Sequence, residues 1–285
     1  MKNILLPTDF SNNAFNAMEY AVNLFKDEEC TFHLLNTYTP IAYNVATVAD
    51  SYSTMMIEEI TRKNSENGLE EIANQLMEKY NNPKHVFVKH AALNLFISEV
   101  SAMVEEHMVD LIIMGTKGAT GAKEIFLGTN TLRTIKNAKC AVIAVPEDFS
   151  YEAPKEILFT TDFNFSLENK FLPLLKSICT KHISRLNILN IYWGEPLTAE
   201  QEKVKADLDV YFKNSAHLFH ITKYANLVEA VVEFQIKFKI NFMVMIHNRH
   251  SFFENLLFTP VIKRLVCHTS VPFMVIPAHS QARNE

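Results

Sequence analysis

Glycine is scarce in this chain, six among 285 residues, and four of the six fall between Met114 and Asn130. Glycine costs backbone entropy on folding and is kept where the chain turns left-handed or where another group approaches the backbone closely. Scarcity elsewhere therefore makes the stretch MGTKGATGAKEIFLGTN a candidate site. Cysteine is scarcer still: Cys30, Cys140, Cys179 and Cys267 lie far apart with no CxxC pair. They indicate neither a disulfide framework nor a zinc knuckle, and read as buried thiols. The opening MKNILLPTDF has three apolar residues between its lysine and Pro7, too few for a signal-peptide core or a membrane span, so the expected compartment is the cytoplasm. Positive charge is not in excess. A formal net charge of -5 and a pI near 6.1 supply no field for nucleic acid or an anionic membrane, and neither is expected as a partner.

What is present is apolar material for two cores: 48% of the residues are hydrophobic and 21% charged, in a chain longer than one usual domain. An internal repeat divides it. NILLPTDFS (Asn3 to Ser11) returns as EILFTTDFN (Glu156 to Asn164), and KCAVIAVP closing at Pro146 returns as TSVPFMVIP closing at Pro277. The closing offset is 131 positions, 277 minus 146, and it also pairs DLIIM with NFMVM and Arg133 with Arg264. The opening offset is 153, from Asp9 to Asp162, so the second copy lacks 22 residues in its middle. The expected organisation is a domain over 1–146, a polar linker with Pro154 over 147–155, a second domain over 156–277, and a polar tail over 278–285.

Short apolar runs alternate with helical patterns in each half. The runs NILLP, TFHLLN, HVFVKH, DLIIM and CAVIAV, then EILFTT, RLNILNI, LFHIT, FMVMI and FMVIP, read as strands. Between them, Ser11 is placed to cap a helix whose Ala14, Ala17, Met18, Ala21, Val22 and Phe25 share one face. A second helix is predicted over Met55 to Lys79, with Met55 and Met56 beginning its buried face. A third starts near Asn94, burying Phe96, Ile97, Val100 and Val104, and NTLRTIKNAK reads as a fourth. Strand and helix in strict alternation imply parallel sheets covered on both faces, hence two tandem doubly wound α/β domains.

In open parallel sheets ligands bind beyond the carboxyl ends of the strands. Gly115 directly follows DLIIM, and the loop through Gly118, Gly121 and Gly128 feeds a helix beginning at Thr129. Unpaired amides and the helix dipole at such a start favour an anion, phosphate above all. Neither GxxxxGK[ST] nor a GxGxxG after the first strand is present, which disfavours a P-loop NTPase and a Rossmann dehydrogenase. The spacing Gly115-x2-Gly118-x9-Gly128-Thr129 resembles the nucleotide-binding signature of the universal stress protein family in its ATP-binding branch.

That resemblance covers both halves, including PTDFS and the closing strand before Pro146. It implies a five-stranded parallel sheet in each domain, an adenine nucleotide alpha hydrolase-like fold, and ATP, with or without magnesium, at the strand ends. Carried onto this chain, Pro7, Thr8 and Asp9 at the end of the first strand meet the adenine or ribose, helped by backbone near Thr37. Met114, Gly115 and Gly118 wrap the ribose and phosphates, while Gly128, Thr129 and Asn130 supply amides and a hydroxyl to the phosphate tail. Lys117 or Lys123 would add charge. The bland alternative is that the glycines serve turn geometry and Asp9 caps the first helix.

At the matching positions of the second half, Ile246, Arg249, Phe252 and Thr259 replace the four glycines, and Pro260 removes a helix-start amide. Ile246 resists the left-handed backbone that glycine permits. The second domain, though it keeps Asp162, is expected to have lost nucleotide binding. The resemblance implies instead that CAVIAVP and PFMVIP pair as an intrachain pseudo-dimer, hiding an edge strand. Whole chains pairing into a homodimer is open. His247 and His250 with Cys267 and His268 suggest a metal, but HxxH without a third ligand reads better as a hydrogen-bonded loop, and no metal site is expected. SFFENLLF reads as core or interface. Glu124 is the one carboxylate inside the glycine loop, so slow ATP hydrolysis ranks below ATP binding. A dimerisation scaffold that binds no nucleotide remains the other alternative.

Overall fold

A strand covered on both faces is apolar along its whole length, whereas a strand with one wet face alternates. The computed structural model describes residues 1–39, 51–116, 127–192, 196–223, 227–247 and 271–278, and they form two compact units, Met1–Glu147 and Asp148–Glu285. In the first, β1 (Lys2–Pro7), β4 (Leu111–Gly115) and β5 (Ala141–Val145) are buried almost throughout. β2 (Cys30–Tyr38) is buried over all but its last residues, and β3 (His85–Leu93) is half-wet, with Val86 and Leu93 exposed. Helices α1 (Asn12–Leu24), α2 (Ser51–Tyr80), α3 (Phe96–Glu106) and α4 (Thr129–Asn137) connect them. Every pairing is parallel, in the order β3-β2-β1-β4-β5.

The second unit repeats the scheme with β6 (Glu156–Thr160), α5 (Leu172–His182), β7 (Arg185–Tyr192), α6 (Ala199–Phe212), β8 (Ala216–Lys223), α7 (Leu227–Phe238), β9 (Phe242–His247) and β10 (Phe273–Pro277). Its order, β8-β7-β6-β9-β10, is the same and again parallel. Both units are doubly wound α/β, and each apolar run read as a strand is one. No helix among the described residues is long and apolar enough to cross a membrane.

The repeat reaches individual hydrogen bonds. After β1 the Thr8 hydroxyl accepts from the Phe10 amide at 2.9 Å and the Asp9 carboxylate from the Ser11 amide at 3.1 Å. After β6, Thr161 and Asp162 do the same for Phe163 and Asn164, at 2.9 and 3.0 Å. Both phenylalanines are left-handed, φ 64° and 56°. Asn16 of α1 donates to the Pro146 carbonyl at 3.2 Å, and Asn169, in the turn before α5, to the Pro277 carbonyl at 2.9 Å, so each unit's last strand is tied at its end to the region of the first helix.

Ser11 caps α1 as expected, accepting from the Ala14 amide at 3.2 Å, and Ala14, Ala17, Met18, Ala21, Val22 and Phe25 are buried. In α3 the fully buried residues are Val100, Met103 and Val104, while Phe96 and Ile97 are half-buried. Met55 and Met56 do not begin a buried face: they are 70% and 48% exposed. The reason is length. Thirty helical residues span about 45 Å, whereas the nine-residue strands beside them span about 30 Å, and from residue 55 on burial in α2 begins at Ser65 and continues at Leu69, Ile72, Ala73 and Leu76. The 14-residue α6 at the same place in the second unit locates most of the sequence shortening. Cys30, Cys140 and Cys179 are buried and outside any disulfide, and burial pushes the Cys179 thiol up to about 12. Cys267 lies outside the described residues.

Candidate functional site

In the order β3-β2-β1-β4-β5, the chain leaving β1 turns toward β2 and the chain leaving β4 turns toward β5, which opens a crevice between the two strand ends. A cavity of about 260 Å³ lies there, near the lower edge of the roughly 300–1,000 Å³ common for small-molecule clefts. Nine of the ten residues predicted from sequence line it: Pro7, Thr8, Asp9, Thr37, Met114, Gly115, Gly128, Thr129 and Asn130. Gly118 lies outside the described residues, as do Lys117, Gly121, Lys123 and Glu124.

The β1 wall is the Thr-Asp-Phe turn. Asn36, at the end of β2, braces it by donating from Nδ2 to the Thr8 carbonyl at 2.8 Å, and its Oδ1 accepts from the Ser65 hydroxyl of α2 at 2.7 Å. Asn36 also lines the cavity and was not anticipated. The signal was available: HLLNTY and NILNIY keep the asparagine in both halves, and Asn190 donates to the Thr161 carbonyl at 3.0 Å. Asp9 is the only charged side chain among the described residues that line the crevice. Its carboxylate oxygen accepts from the Ser11 amide, and the Ser11 hydroxyl accepts from the Ala14 amide in the first turn of α1.

The opposite wall is the end of β4 and the start of α4. Gly115 does not need glycine for a left-handed backbone, contrary to the expectation drawn from Ile246. A Cβ there would sit 2.7 Å from Cγ and Oδ1 of the buried Asn13 of α1, so any side chain at this position would force Asn13 to move. Gly128 has φ −60° and ψ 152°, open to any residue. Its amide donates to the Thr116 carbonyl at 2.6 Å, so Gly128 does not offer the amide expected of it. Thr129, Asn130 and Thr131 form the first turn of α4, where amides have no intrahelical acceptor, and the N-cap, Gly128, has no side chain to cap them. Thr131 is held by its hydroxyl, which donates to the Gly115 carbonyl at 2.8 Å, locking the helix start to the strand end. The crevice therefore presents a carboxylate at one end and a positive helix terminus at the other.

In the second unit, Ile246 occupies the place of Gly115 and is buried, and the Gln201 side chain of α6 donates to the Asp162 carbonyl at 2.9 Å. Arg249, Phe252, Thr259, Pro260, His250, Cys267, His268 and the SFFENLLF run lie outside the described residues. His247 ends β9, and its carbonyl accepts from the Ala278 amide at 2.8 Å. The described residues do hold one group of three histidines, in the first unit: His33, His90 and His107. Nothing in their spacing announced it, since 57 and 17 positions separate them (90 minus 33, 107 minus 90).

The profile of the universal stress protein family matches residues 1–146. Universal stress protein MJ0531 of Methanocaldococcus jannaschii is 28% identical over 144 residues, covering 50% of this chain and 81% of that protein. Universal stress protein MJ0577 of the same organism is 28% identical over 159 residues, covering 50% and 94%. Among solved structures, a universal stress protein from Archaeoglobus fulgidus is similar with a TM-score of 0.64 at 17% identity, over 98% of this chain and 97% of its own. At that identity the likeness speaks for the fold.

Proposed function

Since this chain belongs to the universal stress protein family, we propose that its N-terminal unit is an ATP-binding regulatory module holding one nucleotide in the crevice between β1 and β4. The observation that carries the reading is convergence: residues from stretches more than 100 positions apart, Thr8, Asp9, Met114, Gly115, Thr129 and Asn130 among them, line one cavity. The Asp9 carboxylate is suited to accept from a ribose hydroxyl or the adenine amino group. The first-turn amides of α4 and the Thr129 hydroxyl are suited to donate to phosphate oxygens, helped by the helix dipole. Magnesium, in this reading, arrives with the triphosphate, because Asp9 is the sole carboxylate among the described lining residues.

Binding without turnover is favoured. Phosphoryl transfer to water needs a positioned base and a carboxylate-held metal near the γ-phosphate, and the described wall around the helix start offers neither. The C-terminal unit, with Ile246 buried where Gly115 stands in the first, serves in this proposal as an intrachain dimerisation partner rather than as a second nucleotide site. Acid release from the purified chain, quantified by chromatography, tests the reading. About one equivalent of adenine nucleotide is expected, and Gly118→Val abolishes it while the protein stays folded. An empty wild-type chain that also fails to bind added ATP with magnesium contradicts it. Steady phosphate release lost in Glu124→Gln would move the assignment to a hydrolase.

A further inference from the structure

We propose that His33, His90 and His107 form a binding site for one divalent transition-metal cation of the zinc type. His33 stands on β2, His90 on β3 and His107 at the C-terminal cap of α3. One ring nitrogen from each lies within 4.8 Å of the others, and His33 Nδ1 is 3.0 Å from His90 Nε2. The ring centroids are 4.7 to 5.2 Å apart. Zinc binds imidazole nitrogen at about 2.0–2.1 Å in tetrahedral geometry, which sets two such nitrogens roughly 3.3 Å apart. His33 and His90 already meet that spacing, and His107 has to close by no more than about 1.5 Å. None of the three lines the crevice between β1 and β4.

The chemistry of the cluster suits a cation that wants neutral nitrogen. Burial, then His90 and His107, push His33 down to about 4. Burial and His107 also lower His90, against Glu106 and Glu99, which pull it up. His33 Nδ1 and His90 Nε2 now share a hydrogen bond, and a metal replaces it once the bridging proton moves to the ring's other nitrogen or is released. Asn3 Oδ1, 3.5 Å from His33 Nε2, is placed to take the remaining ring proton, as an outer partner that fixes a ligating tautomer does. Glu99 and Glu106 supply negative charge close by. His33 is buried, while His90 and His107 are half-exposed and leave a way in from solvent. Three protein nitrogens leave a fourth position for water or a further ligand.

The second unit shows that the fold does not require this arrangement. Its equivalents, set by the strand register and by the left-handed residues Met108 and Lys239 after α3 and α7, are Asn187, His220 and Phe238. There His220 Nε2 donates to Asn187 Oδ1 at 3.1 Å, and the Phe238 ring packs 5.0 Å from the imidazole. A neutral hydrogen bond and an aromatic contact satisfy the same place. Three convergent imidazoles in the first unit are an addition to the scaffold.

The test uses the full chain, stripped with a chelator and titrated with zinc chloride against a chromophoric competitor, with cobalt(II) as a spectroscopic stand-in. One equivalent of zinc is expected, with visible cobalt bands of tetrahedral intensity and a rise in Tm on zinc addition. His107→Ala and His90→Gln, checked for folding by circular dichroism, are expected to weaken zinc binding at least tenfold and to lose the Tm rise. His217→Gln, which removes a histidine paired to Asp209 in the other unit, keeps both. Absence of stoichiometric zinc binding by the wild type, or affinity unchanged in both cluster variants, overturns the proposal. ATP titrated into the same samples reports on the crevice separately, so failure of one reading is distinguishable from failure of the other.

Discussion

Phe10 and Phe163 hold left-handed backbones that cost on the order of 1 kcal/mol each for a residue with a bulky side chain. In both units a threonine hydroxyl and an aspartate carboxylate offset that cost by accepting the next two amides. Thr8→Val removes the acceptor at one of them. It is expected to lower stability by about 1–2 kcal/mol, read as a fall in Tm, while Thr8→Ser leaves it nearly unchanged. Histidines set the pH dependence. His220 is lowered by burial and then by Lys237, and His85 by burial and Lys84 against the Phe25 carbonyl, which pulls it up. Unfolded, both return to about 6.5, so below that value the unfolded chain binds more protons. Their contribution is complete above about pH 6.5 and falls away as pH drops toward the lowered values. His217 runs the other way: burial lowers it, but the Ser215 carbonyl and Asp209 raise it by more. Its contribution is present below about 6.5 and fades as pH climbs past the raised value. The urea midpoint is therefore expected to be lower at about pH 5.5 than at about pH 7.5, with His220→Gln narrowing the gap; a midpoint higher at the acidic pH contradicts this.

Two helices decide what the crevice is. α4 matters for its start: Thr131 bonds the Gly115 carbonyl, and the Gly128 amide is spent on Thr116, so the helix start is fixed against the strand end. Sequence spacing placed that helix at Thr129, but not which amides were already used, because a bond to Thr116 depends on the path of the loop and leaves no periodic trace. α2 matters for its brace, Ser65 on Asn36. Its apolar periodicity announced a helix, yet the pattern could not tell which turns face the sheet and which overhang it. Leu76→Ala, at a fully buried position, is expected to cost about 2–5 kcal/mol, whereas Met55→Ala, 70% exposed, stays within about 0.5 kcal/mol. Chemical denaturation of the two variants side by side reads the difference, and equal losses would contradict the overhang.

At the level of the molecule, the duplicated architecture was legible because it is written in apolar runs that must be continuous wherever helices cover both faces. The crevice was legible because Thr-Asp-Phe and the glycine spacing sit at strand ends, where a parallel sheet gathers them. Two things were not. Gly115 reads in sequence as a hinge for left-handed backbone, and is in fact a gap left for Asn13. The histidine cluster joins residues from β2, β3 and the end of α3, whose meeting depends on register and helix length rather than on any spacing. The units differ at matching positions: Ile246 stands buried in the place of Gly115, and Phe238 packs on His220 where the first unit has His107.

Calorimetric titration of the full chain with ATP and magnesium, beside Thr129→Pro, addresses the central claim most directly. Proline is well tolerated at a first helical position, and Gly128, with ψ 152°, already has the extended conformation that a residue before proline adopts. The change therefore deletes one first-turn amide together with the Thr129 hydroxyl and leaves the helix start otherwise in place. The account predicts one site per chain in the wild type and an affinity at least about 10-fold weaker in the variant, which loses one or two hydrogen bonds to a charged group, with Tm preserved. Two sites per chain, none, or equal affinity in both proteins would contradict it.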